Sequence, residues 1–265
     1  MKVIQITDTH LLGVDRANVY GTNPAHRLKR ALKSIDSFHS DAAFIVITGD
    51  LADVASEEAY ILTKKIISKS KLPVYLLLGN HDRRKDFSKV FPEYINESGF
   101  VQYVKHSNGR VFLFLDTLEE GERYGRLCST RMKWLEEMLF KYKKSPICIF
   151  MHHHPVDSGL YEMDNLADFR SRKVFWELLD KYSNIKHITF GHLHRIMSAN
   201  RGTVGLHSTR STTFQVSYQP NIKLEYLTNK EKPAYAVIEV LKDNLVRVHH
   251  HEYFDEKRYY EDGTR

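Results

Sequence analysis

The sequence predicts an α/β fold in which two β-sheets stack on each other and helices cover their outer faces. Short apolar runs alternate with stretches of helical spacing as far as His194, and runs typical of strands dominate the remainder. Alternating strands and helices followed by a β-rich end are typical of this architecture. A chain of 265 residues with 42% hydrophobic and 27% charged residues can bury one large core. We therefore expect residues 1–265 to form a single domain.

Five of the apolar runs end in Asp, Asn or His. Residues 43–47 stop at Thr48-Gly49-Asp50, which is typical of a strand buried on both faces, although the pattern alone leaves a buried helix open. The other four runs are followed by Thr7-Asp8-Thr9-His10, Gly79-Asn80-His81-Asp82, His152-His153-His154-Pro155 and Gly191-His192-Leu193-His194. Taken alone, Asp50 has an ordinary explanation as a helix N-cap. Five such strand ends in one chain indicate a metal site at one rim of a sheet.

The helices expected between these strands begin at recognisable caps. Asn23 with Pro24 after it begins the first helix, and Ser56 followed by two acidic residues begins the second. Further helices are expected around 87–96, 132–142 and 174–182, from apolar residues at helical spacing. The remaining strands are expected at 111–116, 204–207, 214–217, 234–240 and 245–251.

Composition and charge exclude several classes of protein. The net charge of +6 permits an anionic substrate, but Lys and Arg are spread along the chain, which argues against nucleic acid as a partner. No apolar stretch approaches the roughly 20 residues of a membrane span, and no signal-peptide core precedes the first strand, so we expect a cytoplasmic location without membrane contact. Cys128 and Cys148 are too few for a disulfide framework or a thiolate metal site. Residues 252–265 are interpreted as a tail that is either mobile or packed on a second subunit, which leaves a homodimer open.

Asp, Asn and His supply only oxygen and nitrogen ligands. This donor set suits Mn, Fe, Zn or Co, and the many His residues argue against Ca or Mg. Asp8-x-His10 and His192-x-His194 are each expected to place two ligands on one side of a strand end, because alternate residues share a face. Each pair alone is weak evidence, whereas the combination with the other strand ends is specific. For Asp53, a carboxylate at a helix start and a partner for a ligand His both fit.

The motifs D-x-H, G-D-x-x-D, G-N-H-D, H-H-x-P and G-H-x-H, in this order, resemble those of the calcineurin-like metallophosphoesterases. Within that superfamily the sequence is most similar to the class III bacterial 3′,5′-cyclic-nucleotide phosphodiesterases, with glycerophosphodiesterases second. The resemblance spans residues 2 to about 220, and Gly125-Arg126-Leu127 and Ser211-Thr212-x-x-Gln215 extend it. It implies a four-layer α/β/β/α sandwich of two mixed sheets, with two metal ions (Mn, Fe or Zn) at one edge.

The resemblance also implies a role for each matching residue. The ligands of the first metal would be Asp8, His10 and His194, those of the second Asn80, His152 and His192, and Asp50 would bridge the two metals. His81 would donate a proton to a phosphoryl oxygen or to the leaving alkoxide, and Asp82 would orient His81. Asn80 and His154 would also face the substrate, whereas His153 is expected to be packed.

The implied function is a dimetal-dependent phosphodiesterase that hydrolyses small diesters, above all 3′,5′-cyclic nucleotides, by attack of a metal-activated hydroxide. Alternatives are a glycerophosphodiesterase, a phosphomonoesterase or nuclease, and a non-catalytic binding module. A binding module should lack metal ligands, and here all seven positions are filled. The rim of the substrate site is expected to consist of loop 11–23, the region after Asp82, and residues 161–170. Either Arg83 or Arg84 could turn inward toward the metal ions. His207, Arg210 and the run His249-His250-His251 are left between a functional and a packing role.

Overall fold

The computed structural model describes residues 1–13, 17–218 and 228–254. Its strands, in chain order, are β1 (Lys2–Ile6), β2 (Phe44–Thr48), β3 (Val74–Leu77), β4 (Tyr103–Ser107), β5 (Arg110–Phe114), β6 (Ile147–Phe150), β7 (Ile185–Phe190), β8 (Met197–Arg201), β9 (Val204–Ser208), β10 (Gln215–Val216), β11 (Thr228–Asn229), β12 (Ala234–Val240) and β13 (Val246–Glu252). Its helices are α1 (Pro24–Phe38), α2 (Glu57–Ile67), α3 (Arg84–Val90), α4 (Ser129–Lys141), α5 (Tyr161–Leu166) and α6 (Arg172–Leu179), with a short 3₁₀ turn at Pro92–Tyr94.

Two mixed sheets carry most of the strands. The first has the order β13-β12-β1-β2-β3, in which β1, β2 and β3 are parallel and β12 and β13 are antiparallel additions. The second has the order β4-β5-β6-β7-β9-β8, parallel from β5 to β9 with an antiparallel strand at each edge. Parallel strands end at the same edge of a sheet, so the segments after β1, β2, β3, β6 and β7 can meet at one rim.

The expected four-layer sandwich is confirmed by where the apolar side chains lie. One buried cluster joins the facing sides of the two sheets and contains Phe44, Phe112 and Phe150, with the Phe44 and Phe112 rings 5.2 Å apart edge to face. A second cluster joins the first sheet to α1, α2 and α3. A third joins the second sheet to α4, α5 and α6. The buried β2 is completely apolar apart from Thr48, which settles the open choice between strand and helix for this run.

Several local expectations need correction. The helix expected at 87–96 is the shorter α3 followed by the 3₁₀ turn, because Phe91 leaves helical geometry just before Pro92. The strand expected at 214–217 is reduced to β10, and the edge strands β4 and β8 were not anticipated from sequence. Both edge strands are polar and partly exposed, so they lack the apolar run that marks a buried strand.

The beginning of the expected tail is packed. Tyr253 is 1% exposed and stacks on Tyr235, and Phe254 lies beside the guanidinium groups of Arg27 and Arg30. Residues 255–265, the rest of the expected mobile or subunit-contacting segment, lie outside the described residues. Among the helices that are described, none combines the length and apolar character that a bilayer span requires.

Candidate metal centre and substrate cavity

The candidate ligands converge because the backbone turns sharply where the strands end. Asp8, His10, Asp50, His192 and His194 all have positive φ, between 45° and 69°. Left-handed backbone is uncommon outside glycine and costs on the order of 1–3 kcal/mol per residue, so it is typical of functional sites. The expectation that strand alternation aligns Asp8 with His10 is therefore wrong. β1 ends at Ile6, and the two side chains are brought together by left-handed turns.

Glycine is required where the backbone passes the site. Gly49 has a φ of +94°, and a Cβ added there would lie 2.5 Å from Nδ1 of His152. A Cβ on Gly79 would lie 2.2 Å from Oδ1 of Asp50. Both clashes involve buried ligand candidates, so these glycines allow the ends of β2 and β3 to approach the site closely.

The first group of donor atoms comes from Asp8, His10, Asp50 and His194. Each offers one atom, and the four atoms lie within 4.8 Å of one another. Nε2 of His10 is 3.1 Å from Nε2 of His194, which in turn is 3.3 Å from Oδ1 of Asp8. All four residues are buried, with at most 4% exposure. Carboxylates and imidazoles at this spacing can close around one cation.

The second group forms around His152. Its Nε2 is 3.2 Å from Oδ1 of Asn80 and 3.5 Å from Oδ2 of Asp50. The same Asp50 oxygen lies 3.7 Å from Nε2 of His10, in the first group. The His192 ring is 5.0 Å from the His152 ring. Asp50 thus stands between the two groups, with one carboxylate oxygen facing both.

Each candidate ligand His is oriented by a hydrogen bond from the ring nitrogen that faces away from the site. The acceptors are Asp53 Oδ1 for His10 (3.0 Å), and the backbone oxygens of Thr48 for His152, Ala167 for His192 and Phe214 for His194 (2.8 Å each). Carbonyl and carboxylate oxygens only accept, so these nitrogens carry the proton. The opposite nitrogen of each ring faces the site, and it is the atom that would bind a metal ion in its deprotonated state. The residues present therefore fit two transition-metal ions, and Asp53 is the partner of a ligand His.

The electrostatics of the buried groups favour cations. Burial opposes ionisation of Asp8, but the neighbouring His194 lowers the pKa of this carboxyl to about 2. Burial also opposes ionisation of Asp50. The neighbouring His152, His81 and His10 nevertheless lower the pKa of this carboxyl well below its usual range. Burial, together with the charge of His152, holds the pKa of His192 well below its ordinary value. Burial opposes protonation of His152, but Asp50 raises the pKa of this imidazole to about 9. The ionised Asp8 and Asp50 and the neutral His192 are in the state that metal binding requires, whereas a metal ion at His152 would replace a proton.

His81 lies on the open side of the site. It is exposed, lines the cavity, and its ring is 4.8 Å from that of His10. Its Nδ1 donates to the backbone oxygen of Asp53 at 2.7 Å, which leaves Nε2 as the ring nitrogen without this bond. Partial desolvation of the imidazole opposes its protonation, but Asp50 and the Asp53 carbonyl raise the pKa of His81.

The expected contact between Asp82 and the His81 ring is wrong. The Asp82 carboxylate accepts hydrogen bonds from the backbone N–H groups of Gly79, Leu51 and Ala52, and from the Tyr60 hydroxyl, at 2.9–3.1 Å. A short carboxylate placed after a tight turn reaches nearby backbone donors first. Asp82 therefore ties together the segments that follow β2 and β3.

The expectation that His154 lines the pocket is also wrong. Its side chain is fully buried, Nε2 lies 3.1 Å from Oδ1 of Asp164, and the ring faces the ligand His192 at 5.7 Å. His153 is buried as expected, with Nδ1 2.8 Å from the hydroxyl of Thr117. A ring nitrogen of His153 also lies within 4.8 Å of one each from His152 and His192. The contacts to Asn80 and Asp50, however, belong to His152.

A cavity of about 700 Å³ opens over the two groups of ligands. The residues that line it and that sequence analysis did not single out are Asn18, Val19, Tyr20, Arg123, Met163, Phe214 and Thr228. The first three come from the expected rim loop 11–23, and Met163 comes from the expected segment 161–170. Arg123 and Thr228 carry no motif, so only the fold brings them to the site.

The remaining basic and histidine candidates lie elsewhere. Arg84 does not turn inward, because Asp116 holds its guanidinium at 2.6 and 2.8 Å, and the exposed Arg83 pairs with Asp86. His207 pairs with His187 in the second sheet. Arg210 pairs with Glu231 and Glu252, and the three His residues of β13 alternate between different neighbours. None of the histidines 249–251 belongs to a metal-like group among the described residues.

Comparison with known proteins gives consistent matches. The family model for calcineurin-like phosphoesterases matches residues 1–195. A probable cyclic nucleotide phosphodiesterase of Rhodopseudomonas palustris is 34% identical over 250 residues, 93% of this chain and 90% of the relative. A probable glycerophosphodiester phosphodiesterase of Arcobacter nitrofigilis is 27% identical, covering 87% of this chain and 90% of the relative. The 3′,5′-cyclic adenosine monophosphate phosphodiesterase of Haemophilus influenzae is 27% identical, covering 93% and 88%.

Proposed function

The chain belongs to the calcineurin-like phosphoesterase family, and from that premise we propose that it is a metal-dependent phosphodiesterase acting on 3′,5′-cyclic nucleotides. The observation that carries the proposal is the position of Asp50, whose Oδ2 faces His152 at 3.5 Å and His10 at 3.7 Å beneath an open cavity. A single carboxylate oxygen placed between two groups of donors is suited to bridging a pair of metal ions.

In this proposal Asp8, His10 and His194 would hold one ion, Asn80, His152 and His192 would hold the other, and Asp50 would contribute to both. Nitrogen and oxygen donors without thiolate suit Mn, Fe or Zn. Bound there, two such ions would supply Lewis acidity toward phosphoryl oxygens and lower the pKa of a water molecule. His152 is preferred over His153 because its Nε2 faces Asn80 and Asp50, whereas the His153 ring is hydrogen-bonded to the hydroxyl of Thr117.

His81 is the residue of this chain that handles a proton. Its backbone N–H donates to Oδ1 of Asp50 at 2.9 Å and its Nδ1 donates to the Asp53 carbonyl, so backbone and ring are each held by one hydrogen bond. With Nδ1 engaged, Nε2 is the atom that can donate to a phosphoryl oxygen or to the departing alkoxide. Asp82 supports this indirectly, because it fixes the turn on which Asn80 and His81 stand.

A cyclic nucleotide is preferred to a glycerophosphodiester on the basis of the relatives. Two of the relatives described above carry a cyclic-nucleotide name, including the one with the highest identity of the three. The cavity of about 700 Å³ is large enough for either substrate. The glycerophosphodiester alternative remains the second candidate because one relative of similar coverage bears that name.

The test is a comparison of substrates on purified protein stripped by a chelator and reloaded separately with Mn, Fe or Zn. We expect the highest kcat/KM for cyclic AMP or cyclic GMP, a lower value for glycerophosphoethanolamine, and no turnover by the stripped protein. Higher kcat/KM for glycerophosphoethanolamine at every metal loading would replace the proposal by its alternative. Turnover that persists after stripping would remove the metal from the mechanism.

The proposal keeps the expected partners and location. The substrate is a small diester, no nucleic acid or membrane takes part, and the protein acts in the cytoplasm, alone or as a homodimer. Fractionation of cells that express the chain, combined with light scattering of the purified protein, tests both statements. Recovery in the membrane fraction would contradict the location.

A further inference from the structure

We propose that the ring of Tyr20 is the platform on which the nucleobase of the substrate stacks. This inference rests on the proposed function, because it assigns a base-binding residue to the same cavity. Tyr20 lines that cavity, and its side chain is 70% exposed, the highest value for any large hydrophobic residue in the part of the chain that the structure describes. A large aromatic face left open beside a reaction site is suited to a flat aromatic ligand.

Tyr20 is held in place by a tight turn. Val19 and Thr22 exchange two backbone hydrogen bonds of 2.9 Å, and the Thr22 hydroxyl also donates to the Val19 oxygen. The two residues between them, Tyr20 and Gly21, have φ values of +46° and +76°. Positive φ at both central positions is typical of a type I′ turn. Val19 is 6% exposed and anchors the turn, so the ring projects from a fixed base.

The left-handed backbone of Tyr20 is strained, and the described contacts of its exposed ring do not compensate for that strain. A bulky residue with left-handed backbone is a genuine outlier, and glycine, asparagine or aspartate is usual at such a position. An exposed aromatic ring also gains little from burial. Strain retained together with exposure points to a ligand that covers the ring.

Phe214 fixes the distance between this platform and the candidate metal centre. Its ring lies 4.7 Å from that of Tyr20 on one side, and 4.3 Å from His194 and 5.0 Å from His10 on the other. Its carbonyl also accepts the Nδ1 hydrogen of His194. A single residue therefore separates the exposed ring from the ligands of the first metal. A phosphate over the metals would leave a base attached through ribose within reach of Tyr20.

Stacking separates the two candidate substrate classes. A nucleobase presents a π face, whereas glycerol and ethanolamine do not. Stacking of a base on an aromatic side chain is worth about 1–3 kcal/mol by alanine substitution, or roughly 5- to 150-fold in affinity. Asn18, exposed on the same loop and also lining the cavity, offers an amide for the edge of the base.

The first arm of the test compares kcat/KM of Tyr20→Ala and Tyr20→Phe on cyclic AMP and on glycerophosphoethanolamine, with circular dichroism to verify folding. We expect Tyr20→Ala to lose roughly 5- to 150-fold on cyclic AMP, mainly through KM, and to keep its value on glycerophosphoethanolamine. Tyr20→Phe retains the ring and should retain activity. The control is Phe140→Ala, which removes a ring that is 62% exposed on α4, outside the cavity.

The second arm measures binding without turnover. In a Tyr20→Trp variant, titration with AMP should change the fluorescence relative to wild-type protein, and ribose 5-phosphate, which lacks the base, should not. Equal losses on both substrates, or no loss on either, would overturn the inference, as would a fluorescence response common to both ligands. If wild-type protein fails to hydrolyse cyclic AMP while AMP alone gives the response, the platform stands and the proposed function fails.

Discussion

Oδ2 of Asp50 lies 3.5 Å from Nε2 of His152, on the side of that ring opposite its bond to the Thr48 carbonyl. The same oxygen is 3.7 Å from Nε2 of His10, so one atom serves both groups of donors. Asp50 enters this position through a left-handed turn after Gly49 and is 2% exposed. This position explains why removal of the Asp50 side chain should reduce metal binding more than removal of any other candidate ligand.

Asp50→Ala should lose both metal ions, whereas His10→Ala should lose mainly one. The reason is the shared carboxylate oxygen, because a bridging ligand contributes to both sites and His10 to the first alone. Elemental analysis of metal per protein, after dialysis against limiting Mn, provides the measurement. Glu137→Ala, on the exposed face of α4, serves as a control and should keep both ions. Two tightly bound ions in Asp50→Ala would rule out the bridge.

His81→Ala should fold normally and keep both metals while its turnover falls by roughly 10²–10⁴-fold, the range for loss of a general acid or base. Nδ1 of His81 is held by the Asp53 carbonyl and the side chain lines the cavity, which suits a proton donor. A ring nitrogen of His81 also lies within 4.8 Å of donor atoms of His10 and Asp53, so the metal content of the variant decides between donor and ligand. His106→Ala removes an exposed imidazole on β4 and should have no effect. A drop in metal content comparable to that of Asp50→Ala would make His81 a ligand instead.

Tyr60→Phe should reduce the free energy of unfolding by about 1–3 kcal/mol, the range for losing a buried hydrogen bond to a charged group. The buried Tyr60 hydroxyl donates to Asp82 and accepts from the backbone N–H of Arg83, so its loss leaves two groups short of a partner. Urea unfolding of metal-stripped protein measures this without the contribution of bound ions. Tyr142→Phe, whose hydroxyl meets the exposed His106, should change stability by less than about 0.5 kcal/mol.

A double-mutant cycle separates this role of Asp82 from the expected contact with His81. Asp82→Asn combined with Tyr60→Phe should show a coupling energy of about 0.5–3 kcal/mol, as for residues in one hydrogen-bond network. Asp82→Asn combined with His81→Ala should show a smaller coupling energy, because the Asp82 carboxylate acts on His81 through its charge and not through a hydrogen bond in the described structure. Coupling of the second pair with additivity of the first would restore the sequence-based interpretation.

Strand ends were predictable because each couples an apolar run to a polar residue at a fixed place. The positions of Asp8, Asp50, Asn80, His152 and His192 followed from this pattern, and the structure brings all of them to one rim. Their roles as ligands stay a prediction, as does the single domain. The sequence pattern could not predict side-chain positions beyond the ends of the strands. β6 ends at Phe150, so strand alternation says nothing about His153 and His154, and both are buried.

The hydrogen bonds that orient the candidate ligands could not be predicted from the sequence, for a different reason. The oxygens that orient His152, His192 and His194 belong to the backbone of Thr48, Ala167 and Phe214. Every residue carries such an oxygen, so residue type gives no signal. Only the fold decides which carbonyl lies beside which ring.

The free energy of unfolding should fall as the pH is lowered from about 6.5 to about 4. Part of this loss comes from a buried pair of histidines in the second sheet, which does not belong to the candidate metal centre. Nε2 of His187 lies 2.5 Å from Nδ1 of His207. Burial lowers the pKa of His187 to about 4, and burial, with the charges of His187 and His250, holds that of His207 well below its ordinary value. The unfolded chain binds protons in this window and the folded chain does not. Stability from the pair is therefore complete above pH 6.5 and declines toward pH 4, for His187 on the order of 3 kcal/mol.

The measurement is the difference in unfolding free energy between wild-type protein and His187→Leu/His207→Leu, at several pH values and without metal. The difference removes the contribution of groups common to both proteins, including Arg210 and His249 beside His250. The wild type should lose stability more steeply between pH 6.5 and 4 than the double variant. His249→Leu, with a side chain 64% exposed, should keep the wild-type slope. Parallel curves for all three proteins would refute the assignment.

Phosphodiesters should be hydrolysed with a higher kcat/KM than matching monoesters. A monoester carries an additional negative charge that a pair of cations beside the metals would favour. Such a pair is not found among the residues that line the cavity in the described part of the chain: Arg123 is the one Lys or Arg there, and it lies 3.3 Å from Glu162. Arg84, the other candidate, is held by Asp116. The measurement compares kcat/KM for bis-p-nitrophenyl phosphate with kcat/KM for p-nitrophenyl phosphate at one pH and one metal loading.

Thr228→Arg, which adds a cation at an exposed position of the cavity rim, should shift the ratio of these two values toward the monoester by several-fold. A tenfold preference of the wild-type protein for the monoester would contradict the diesterase assignment.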